Sequence, residues 1–96
     1  MAGIVNIDPD ELEKFAHELS AFSKQLEESS KRLDGQFKRL GETWKDPQYA
    51  KFAQQFTQTM GNLRRFQSSN EKVVPRLLQT VKAARELLSK SRGVGG

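Results

Sequence analysis

The spacing of apolar residues in the first half of the chain constrains the fold more than any other feature. Between residues 12 and 44 they follow one another at steps of three, four or seven positions, which is the spacing of one face of an α-helix. The stripe comprises Leu12, Phe15, Leu19, Phe22, Leu26, Leu33, Phe37, Leu40 and Trp44. Its one long step passes over Ser29 and Ser30. This small polar gap is either a site of close packing or a place where a bulky side chain of a partner enters.

The ends of this first helix are also marked in the sequence. Asp8 suits the N-cap position, and Pro9 suits the first helical position, where its missing N–H costs nothing. Glu11 follows the cap by three residues and can complete a capping box. Gly41 is typical of the position just past a helix C-terminus. We therefore predict helix one over about residues 8–41.

A second stripe at helical spacing follows a short connection. Asp46 and Pro47 open it by the same cap logic, which predicts an elbow over about residues 42–46. The stripe comprises Tyr49, Phe52, Ala53, Phe56, Met60, Leu63, Phe66, Val73, Val74, Leu77, Leu78, Val81, Ala84 and Leu88. Pro75 removes the hydrogen bond to the carbonyl of Glu71 and predicts a kink or a short break. We expect helix two over about residues 47–90, with a flexible tail at 91–96.

Two long helices joined by a short connection should lie antiparallel, as one all-α hairpin domain spanning residues 1–96. Only 35% of the 96 residues are hydrophobic, so one hairpin has little core of its own. Counting back from the elbow sets residue 79 opposite Pro9. Val81, Ala84 and Leu88 would then be bare in a single hairpin. We therefore expect two hairpins to pair into an antiparallel four-helix bundle, as a homodimer or with a related hairpin.

The charges divide the chain into an acidic and a basic half. Residues 1–43 carry nine acids and six bases, whereas residues 44–96 carry three acids and ten bases. In an antiparallel hairpin, the acids at the start of helix one lie beside the bases at the end of helix two. Each exposed pair contributes only about 0–1 kcal/mol, but the pattern opposes a parallel arrangement.

The residue inventory argues against catalysis and cofactor binding. The chain has no cysteine, and His17 is its only histidine, off the apolar stripe. No set of His, Asp and Glu has metal-ligand spacing, and no glycine-rich phosphate loop is present. We expect no enzyme activity, no cofactor and no small-molecule substrate. The sequence also contains neither an apolar run long enough to cross a membrane nor the pattern of an ordinary signal peptide.

Binding to nucleic acid is a weaker alternative. Helix two is basic, and Phe52, Phe56 and Phe66 could stack on bases. However, these rings fall on the apolar stripe while the basic residues fall elsewhere, and aromatic residues at helical spacing are more often core. Binding of the same helix to an anionic membrane surface is weaker still.

The stretch TWKDPQYAKFAQQF, together with the length and the two capped helices, resembles the WXG family of small ESAT-like proteins of type VII secretion. The resemblance covers nearly the whole chain and rests on Trp44 at the junction and on the aromatic residues Tyr49, Phe52 and Phe56 after it. It implies that the tryptophan packs at the hairpin end, and that two hairpins pair antiparallel. It also implies a role as a secreted effector or as an adaptor that escorts a partner through a secretion ATPase.

The sequence departs from this family in two places. The residue two after Trp44 is Asp46 instead of glycine, although both residue types suit an N-cap. The family's Tyr-x-x-x-Asp/Glu export signal after helix two is missing, because Tyr49 is the only tyrosine. The resemblance therefore implies the fold and dimerisation more strongly than export.

The function expected from the sequence is that of a bacterial, non-enzymatic substrate, adaptor or chaperone of a type VII-like secretion system. The alternative is a coiled-coil adaptor that stays in the cytoplasm, so the chain is either secreted without a leader or cytoplasmic. The elbow motif is Trp44, Lys45, Asp46 and Pro47. The residues expected to pack within the hairpin and the dimer are Leu12, Phe15, Leu19, Phe22, Leu26, Leu33, Phe37, Leu40, Tyr49, Phe52, Phe56, Met60, Leu63, Phe66, Leu77 and Val81.

Overall fold

The computed structural model describes residues 7–95, which form two α-helices in an antiparallel hairpin. Helix α1 spans Pro9–Thr43 and helix α2 spans Pro47–Gly95. The molecule measures 74 × 22 × 15 Å. Because an α-helix with its side chains is about 10–12 Å across, the hairpin is a single layer of two helices. Each helix therefore has one neighbour, and the predicted all-α hairpin is confirmed.

Both helices begin at the aspartate–proline pairs that the sequence marks. The side chain of Asp8 accepts hydrogen bonds from the backbone N–H groups of Asp10 (2.9 Å) and Glu11 (3.4 Å). At the start of α2, the carboxylate of Asp46 accepts a hydrogen bond from the N–H of Gln48 at 2.7 Å. These bonds satisfy amide groups that have no partner inside the first turn of a helix.

The end of α1 differs from the prediction. Helix α1 continues past Gly41 to Thr43, and Trp44 caps it with an extended backbone and an N–H that donates to the carbonyl of Leu40 at 2.9 Å. Gly41 is needed for another reason, because a Cβ at this position would lie 2.6 Å from the hydroxyl oxygen of Tyr49. The prediction that helix one ends at Gly41 is wrong, and the glycine serves close packing against Tyr49.

Helix α2 runs without interruption through Pro75. The predicted break is therefore wrong, while a bend at Pro75 stays a prediction. Pro75 and Glu71 are both exposed, so water can bond the carbonyl that the proline leaves free. The helix also reaches Gly95, so residues 91–95 continue α2 instead of forming a separate tail. Gly96 lies outside the described residues.

The register of the two helices is fixed by contacts along their length. Arg85 pairs with Asp10 and Glu13 at the open end of the hairpin. Val81 and Ala84 are buried, so the prediction that they are bare in one hairpin is wrong, whereas Leu88 is exposed. The chain reverses direction around the Asp46–Pro47 pair. This is a few residues later than the midpoint that would set residue 79 opposite Pro9.

The seam between α1 and α2 contains small and polar residues as well as apolar ones. Its buried members are Ala16, Ser23, Met60, Asn70, Val81 and Ala84. The side-chain amide of Asn70 donates to the hydroxyl oxygen of Ser23 at 3.0 Å, so both buried polar groups have a partner. Alanine and serine on α1 let the helices approach closely, which leaves the larger α1 side chains beside the seam.

Candidate partner-binding face

The elbow motif has a structural role at the closed end of the hairpin. The Trp44 ring is half-buried and lies 5.5 Å from the ring of Tyr49 and 5.7 Å from that of Phe52. Lys45, Asp46 and Pro47 are exposed, and Asp46 caps α2. Aspartate thus performs the capping role at the position where the family pattern has glycine.

Aromatic rings continue from the elbow into the seam. Phe37 stacks on Phe56 with ring centroids 4.5 Å apart and on Tyr49 at 5.6 Å, and it lies 5.9 Å from Phe52. Together with Trp44, these residues form the elbow cluster. Ring pairs at such distances are favourable by about 0.5–1.5 kcal/mol beyond the area that they bury. The cluster therefore fixes the two helices where they meet.

One of the two flat faces of the hairpin carries ion pairs between the helices, and we call it the ion-paired face. Arg85 lies 2.8 Å from a carboxylate oxygen of Asp10 and 2.9 Å from one of Glu13, and Arg64 lies 3.1 Å from Asp34. The antiparallel pairing of early acids with late bases, which the sequence predicted, is confirmed at Arg85. The charged groups on this face pair with each other between α1 and α2.

Arg85 also shifts the pKa of one of its partners, Glu13. The hydrogen bond from the Arg85 guanidinium, and then its positive charge, lower the pKa of Glu13 below the ordinary value. The hydrogen bonds that Arg85 donates to Glu13 and Asp10 raise the pKa of Arg85. Because these groups are exposed, the pair favours the register but is a weak source of stability.

The opposite face of the hairpin is apolar, and no other element within residues 7–95 covers it. On α1, Ala16 faces α2, and Leu12 and Glu13 lie on either side of it around the helix. Because Glu13 belongs to the ion-paired face, Leu12 is on the opposite face. Phe22 and Phe66 meet there edge to face, with ring centroids 6.2 Å apart. The apolar face consists of the exposed side chains Phe15, Phe22, Leu33 and Leu40 on α1 and Phe52, Phe66, Val73 and Leu87 on α2.

The exposed fractions on this face are large for aromatic side chains. Phe15 is 57% exposed, Phe22 is 50% exposed and Phe66 is 47% exposed. Large exposed apolar patches on folded proteins are typical of surfaces that bind another macromolecule.

The packing residues predicted from the sequence fall into three groups in the structure. Met60 and Val81 are buried in the seam. The half-buried group is Leu12, Leu19, Leu26, Phe37, Tyr49, Phe56, Leu63 and Leu77. The exposed group is Phe15, Phe22, Leu33, Leu40, Phe52 and Phe66. The role of this last group in a dimer stays a prediction.

The candidate list omitted two kinds of residue. It missed Val73 and Leu87 on the apolar face, and it missed the small or polar seam residues Ala16, Ser23 and Asn70. A search for positions repeating every seven residues would have found the first two, because they share their spacing with Phe52 and Phe66. Hydrophobicity alone does not indicate that a serine and an asparagine are buried together.

Within residues 7–95, no three His, Cys, Asp or Glu side chains are grouped as metal ligands would be. His17, which the sequence places off the apolar stripe, is exposed. Neither α1 nor α2, as far as they are described, is apolar enough over a sufficient length to cross a membrane.

A comparison with protein families agrees with this architecture. The family model WXG100, described as proteins of 100 residues with WXG, matches residues 4–86. Comparisons with curated proteins and with solved structures return no significant match. The matched segment includes α1, the elbow motif and α2 as far as the Arg85 ion pairs. The chain therefore belongs to the WXG100 family of small helical proteins associated with type VII secretion.

Proposed function

We propose that this protein is a non-enzymatic binding module of a type VII-like secretion system, acting as a substrate, adaptor or chaperone through its apolar face. The observation that carries the proposal is the edge-to-face pair of Phe22 and Phe66, which lies on a face that nothing else within residues 7–95 covers. Membership of the WXG100 family supports the association with secretion.

The partner proposed for this face is another helical hairpin, so that the complex is a four-helix bundle. A second two-helix layer would cover the exposed rings and leave the ion-paired face in solvent. The length of the hairpin supports this arrangement, because both helices are long and present exposed apolar residues along much of their length. Hairpins that pack in this way bury apolar side chains from all four helices.

The apolar face favours a protein partner over a nucleic acid. Its exposed aromatic residues are flanked by aliphatic ones. The basic residues Arg64 and Arg85 are paired with carboxylates on the ion-paired face. A strand-binding surface instead combines stacking rings with free cations along one groove.

Secretion is tested by measuring the protein in culture medium. We expect it in the medium of cells that contain the type VII ATPase, and not in the medium of cells that lack it, with a cytoplasmic marker as the control for lysis. Retention in the cell combined with loss of a partner's export on deletion of this protein would identify an adaptor. The secretion role is wrong if export of this protein does not depend on the ATPase and export of the partner does not depend on this protein.

The binding face is tested separately with Phe22→Ser/Phe66→Ser. Because both side chains are exposed, we expect the hairpin to keep its helical content while binding of the partner is lost. Ala21→Ser is the control on an exposed position of α1 outside the apolar face. Unchanged binding by the double variant would contradict the assignment of this face.

A further inference from the structure

The ion-paired face is built as a ladder with a repeat of seven residues on each helix. Residues seven positions apart lie on the same side of an α-helix, so the register of one ion pair predicts which residues meet at the next step. The four steps, from the elbow to the open end, are Asp34–Arg64, Glu27–Glu71, Ser20–Leu78 and Glu13–Arg85. The first and last steps are ion pairs, whereas the second step sets two glutamates opposite each other.

The structure places Glu27 and Glu71 in the lining of one groove between the helices. Both residues are exposed, and neither takes part in an ion pair within residues 7–95. Two carboxylates across a groove repel each other, which is the reverse of the attraction at the ion pairs. This step of the ladder therefore lacks a positive charge.

The lysines closest to Glu27 in the sequence do not supply that charge. Lys24 lines the same groove, and Lys31 lines the neighbouring groove beside Arg64. In the part of the chain that the structure describes, neither lysine forms an ion pair with Glu27 or Glu71. The two carboxylates are thus left to a cation from outside the hairpin.

Pro75 adds a backbone acceptor to the same groove. Because proline has no N–H, the carbonyl oxygen of Glu71 loses its hydrogen-bond partner one turn further along α2. Pro75 and Glu71 both line the groove, so the gap between them lies in its wall. The proline is therefore placed where the lost hydrogen bond leaves an oxygen available to a ligand.

Asn70 provides a further acceptor between the helices. This residue is only 7% exposed, and its side-chain amide nitrogen donates to Ser23 at 3.0 Å. Its Oδ1 atom accepts no hydrogen bond from residues 7–95. No side-chain oxygen shielded from solvent lacks a partner in this part of the chain, so Oδ1 is reached from the groove that Asn70 lines. A nearly buried side chain thus presents an unpartnered oxygen to the groove.

Arginine is the side chain whose chemistry fits these acceptors. Its guanidinium is always charged and carries five N–H donors in one plane, enough to bind two carboxylates and a carbonyl together. The same face already shows a guanidinium between two carboxylates, because Arg85 lies 2.8 Å from Asp10 and 2.9 Å from Glu13. Val74 and Pro75 also line the groove and offer apolar surface to the methylene groups of an arginine. The volume of about 320 Å³ is at the small end for ligand sites, as a single side chain requires.

We propose that this groove binds an arginine side chain of a protein partner, with the guanidinium between Glu27 and Glu71 and within reach of Asn70. The site lies on the face opposite the apolar face. It goes beyond the proposed function, because a helical partner on the apolar face leaves the ion-paired face in solvent. The protein then holds two partners at once, one through apolar contacts and one through this arginine.

Peptide binding tests the groove directly. The probe is a capped pentapeptide with one arginine among four alanines, titrated into the isotopically labelled protein and followed by two-dimensional NMR. We expect saturable shifts of the Asn70 side-chain amide and of the backbone amides of Glu27 and Glu71 at about millimolar peptide. The same peptide with lysine in place of arginine should bind at least about fivefold more weakly, because an ammonium group lacks the planar fork of donors.

A pair of matched variants shows whether the two glutamates bind the probe. Glu27→Gln/Glu71→Gln removes both charges and keeps the side-chain size, and we expect it to bind the arginine peptide at least about tenfold more weakly. Glu28→Gln/Glu86→Gln removes the same charge from two exposed acids outside the groove, one on each helix. This control should bind the peptide as the wild type does.

A second measurement needs no ligand. Glu71→Arg supplies the missing arginine from the chain itself, and no charged side chain lies three or four positions from residue 71. The new charge therefore acts mainly across the groove, and we expect the melting temperature to rise by about 1–5 °C. The same substitution in a Glu27→Gln background should give no such rise. Glu71→Arg should also abolish binding of the arginine peptide.

The possible results separate the site from its alternatives. The absence of saturable shifts, or equal binding by the wild type and Glu27→Gln/Glu71→Gln, would overturn the site. Equal affinity for the lysine peptide would overturn arginine as the occupant. A rise in melting temperature that is the same with and without Glu27 would show that the two glutamates do not face each other.

The inference can also be separated from the proposed function. Phe22→Ser/Phe66→Ser changes only the opposite face, so this variant should bind the arginine peptide as the wild type does. If it retains its helical partner, the proposed function is contradicted while the groove stands. If it loses the peptide as well, the groove is not an independent site and the inference is overturned.

Discussion

The two ends of the hairpin are held together by different kinds of contact. At the elbow, large rings fill the space between the helices, with Phe37 stacked on Phe56 at 4.5 Å. At the open end, the buried residues are Ala16, Val81 and Ala84, and exposed ion pairs of Arg85 lie over them. The elbow is therefore fixed by packing, whereas the open end combines close approach of small residues with charge.

This difference predicts different sensitivities at the two ends. Contacts between apolar rings depend little on pH or salt. Exposed ion pairs are weakened by salt, and they are also weakened in acid, where their carboxylates become protonated. Mutations and solution conditions can therefore be used to change one end while leaving the other intact.

Truncating a side chain in the elbow cluster should give the largest loss of stability. Phe37→Ala removes ring contacts with Tyr49, Phe52 and Phe56, and we expect it to lower the free energy of unfolding by about 3 kcal/mol. Val81→Ala at the open end removes two methyl groups, and we expect about 1–2 kcal/mol. Urea denaturation measures both values at one protein concentration, and a larger effect at Val81 would contradict the comparison.

The close approach of Gly41 to Tyr49 provides a sharper test of the elbow. Gly41→Ala places a methyl group 2.6 Å from the Tyr49 hydroxyl oxygen, so the ring must move. Gly35→Ala, also inside α1, meets nothing within 4 Å and should gain about 0.5–1 kcal/mol from the better helix propensity of alanine. We expect Gly41→Ala to lose this gain and to be at least about 1 kcal/mol less stable than Gly35→Ala. Equal melting temperatures for the two variants would show that Tyr49 moves freely.

The smallest effect is expected from the ion pairs at the open end, and it should depend on pH. Because Arg85 lowers the pKa of Glu13 in the folded chain, the stabilisation is present above the ordinary pKa of Glu13. It is lost as the pH falls through the lowered pKa. Arg85→Gln should therefore reduce the melting temperature slightly at pH 7, and the difference from the wild type should vanish in acid.

Arg76→Gln is the control for this pH dependence, since Arg76 is an exposed arginine of α2 outside the described ion pairs. It should differ little from the wild type at either pH. A deficit of Arg85→Gln that stays constant as the carboxylates are protonated would argue against the ion pair as its cause.

The elements of the fold followed from local sequence signals. The caps Asp8 and Asp46, the prolines after them and the two stripes predicted both helices and their antiparallel order. The end of α1 was misplaced because Gly41 acts through a contact with Tyr49 on the other helix, which no local pattern indicates. The register was misplaced for a similar reason, because the position of the reversal depends on packing at the elbow.

Six of the eight side chains on the apolar face were among the predicted packing residues, but the sequence did not divide those residues between the seam and the face. The apolar stripe of α1 contained both Leu19, which is half-buried, and Phe15, which is exposed, and spacing alone does not assign them to different neighbours. The division depends on which residues are small enough to form the inner seam. Ala16 and Ser23 take that place, which leaves Phe15 and Phe22 on the apolar face.

The short connection at residues 44–46 also has a consequence for the order in which the chain folds. Trp44 and Tyr49 are close in sequence, so bringing their rings together costs little chain entropy, whereas the Arg85–Glu13 pair closes a loop of 72 positions. We therefore expect folding to begin at the elbow and to proceed towards the termini, so that pairing of α1 with α2 extends one turn at a time. In reverse, the open end should separate first, and amide hydrogen exchange should be fastest there and slowest beside the aromatic rings.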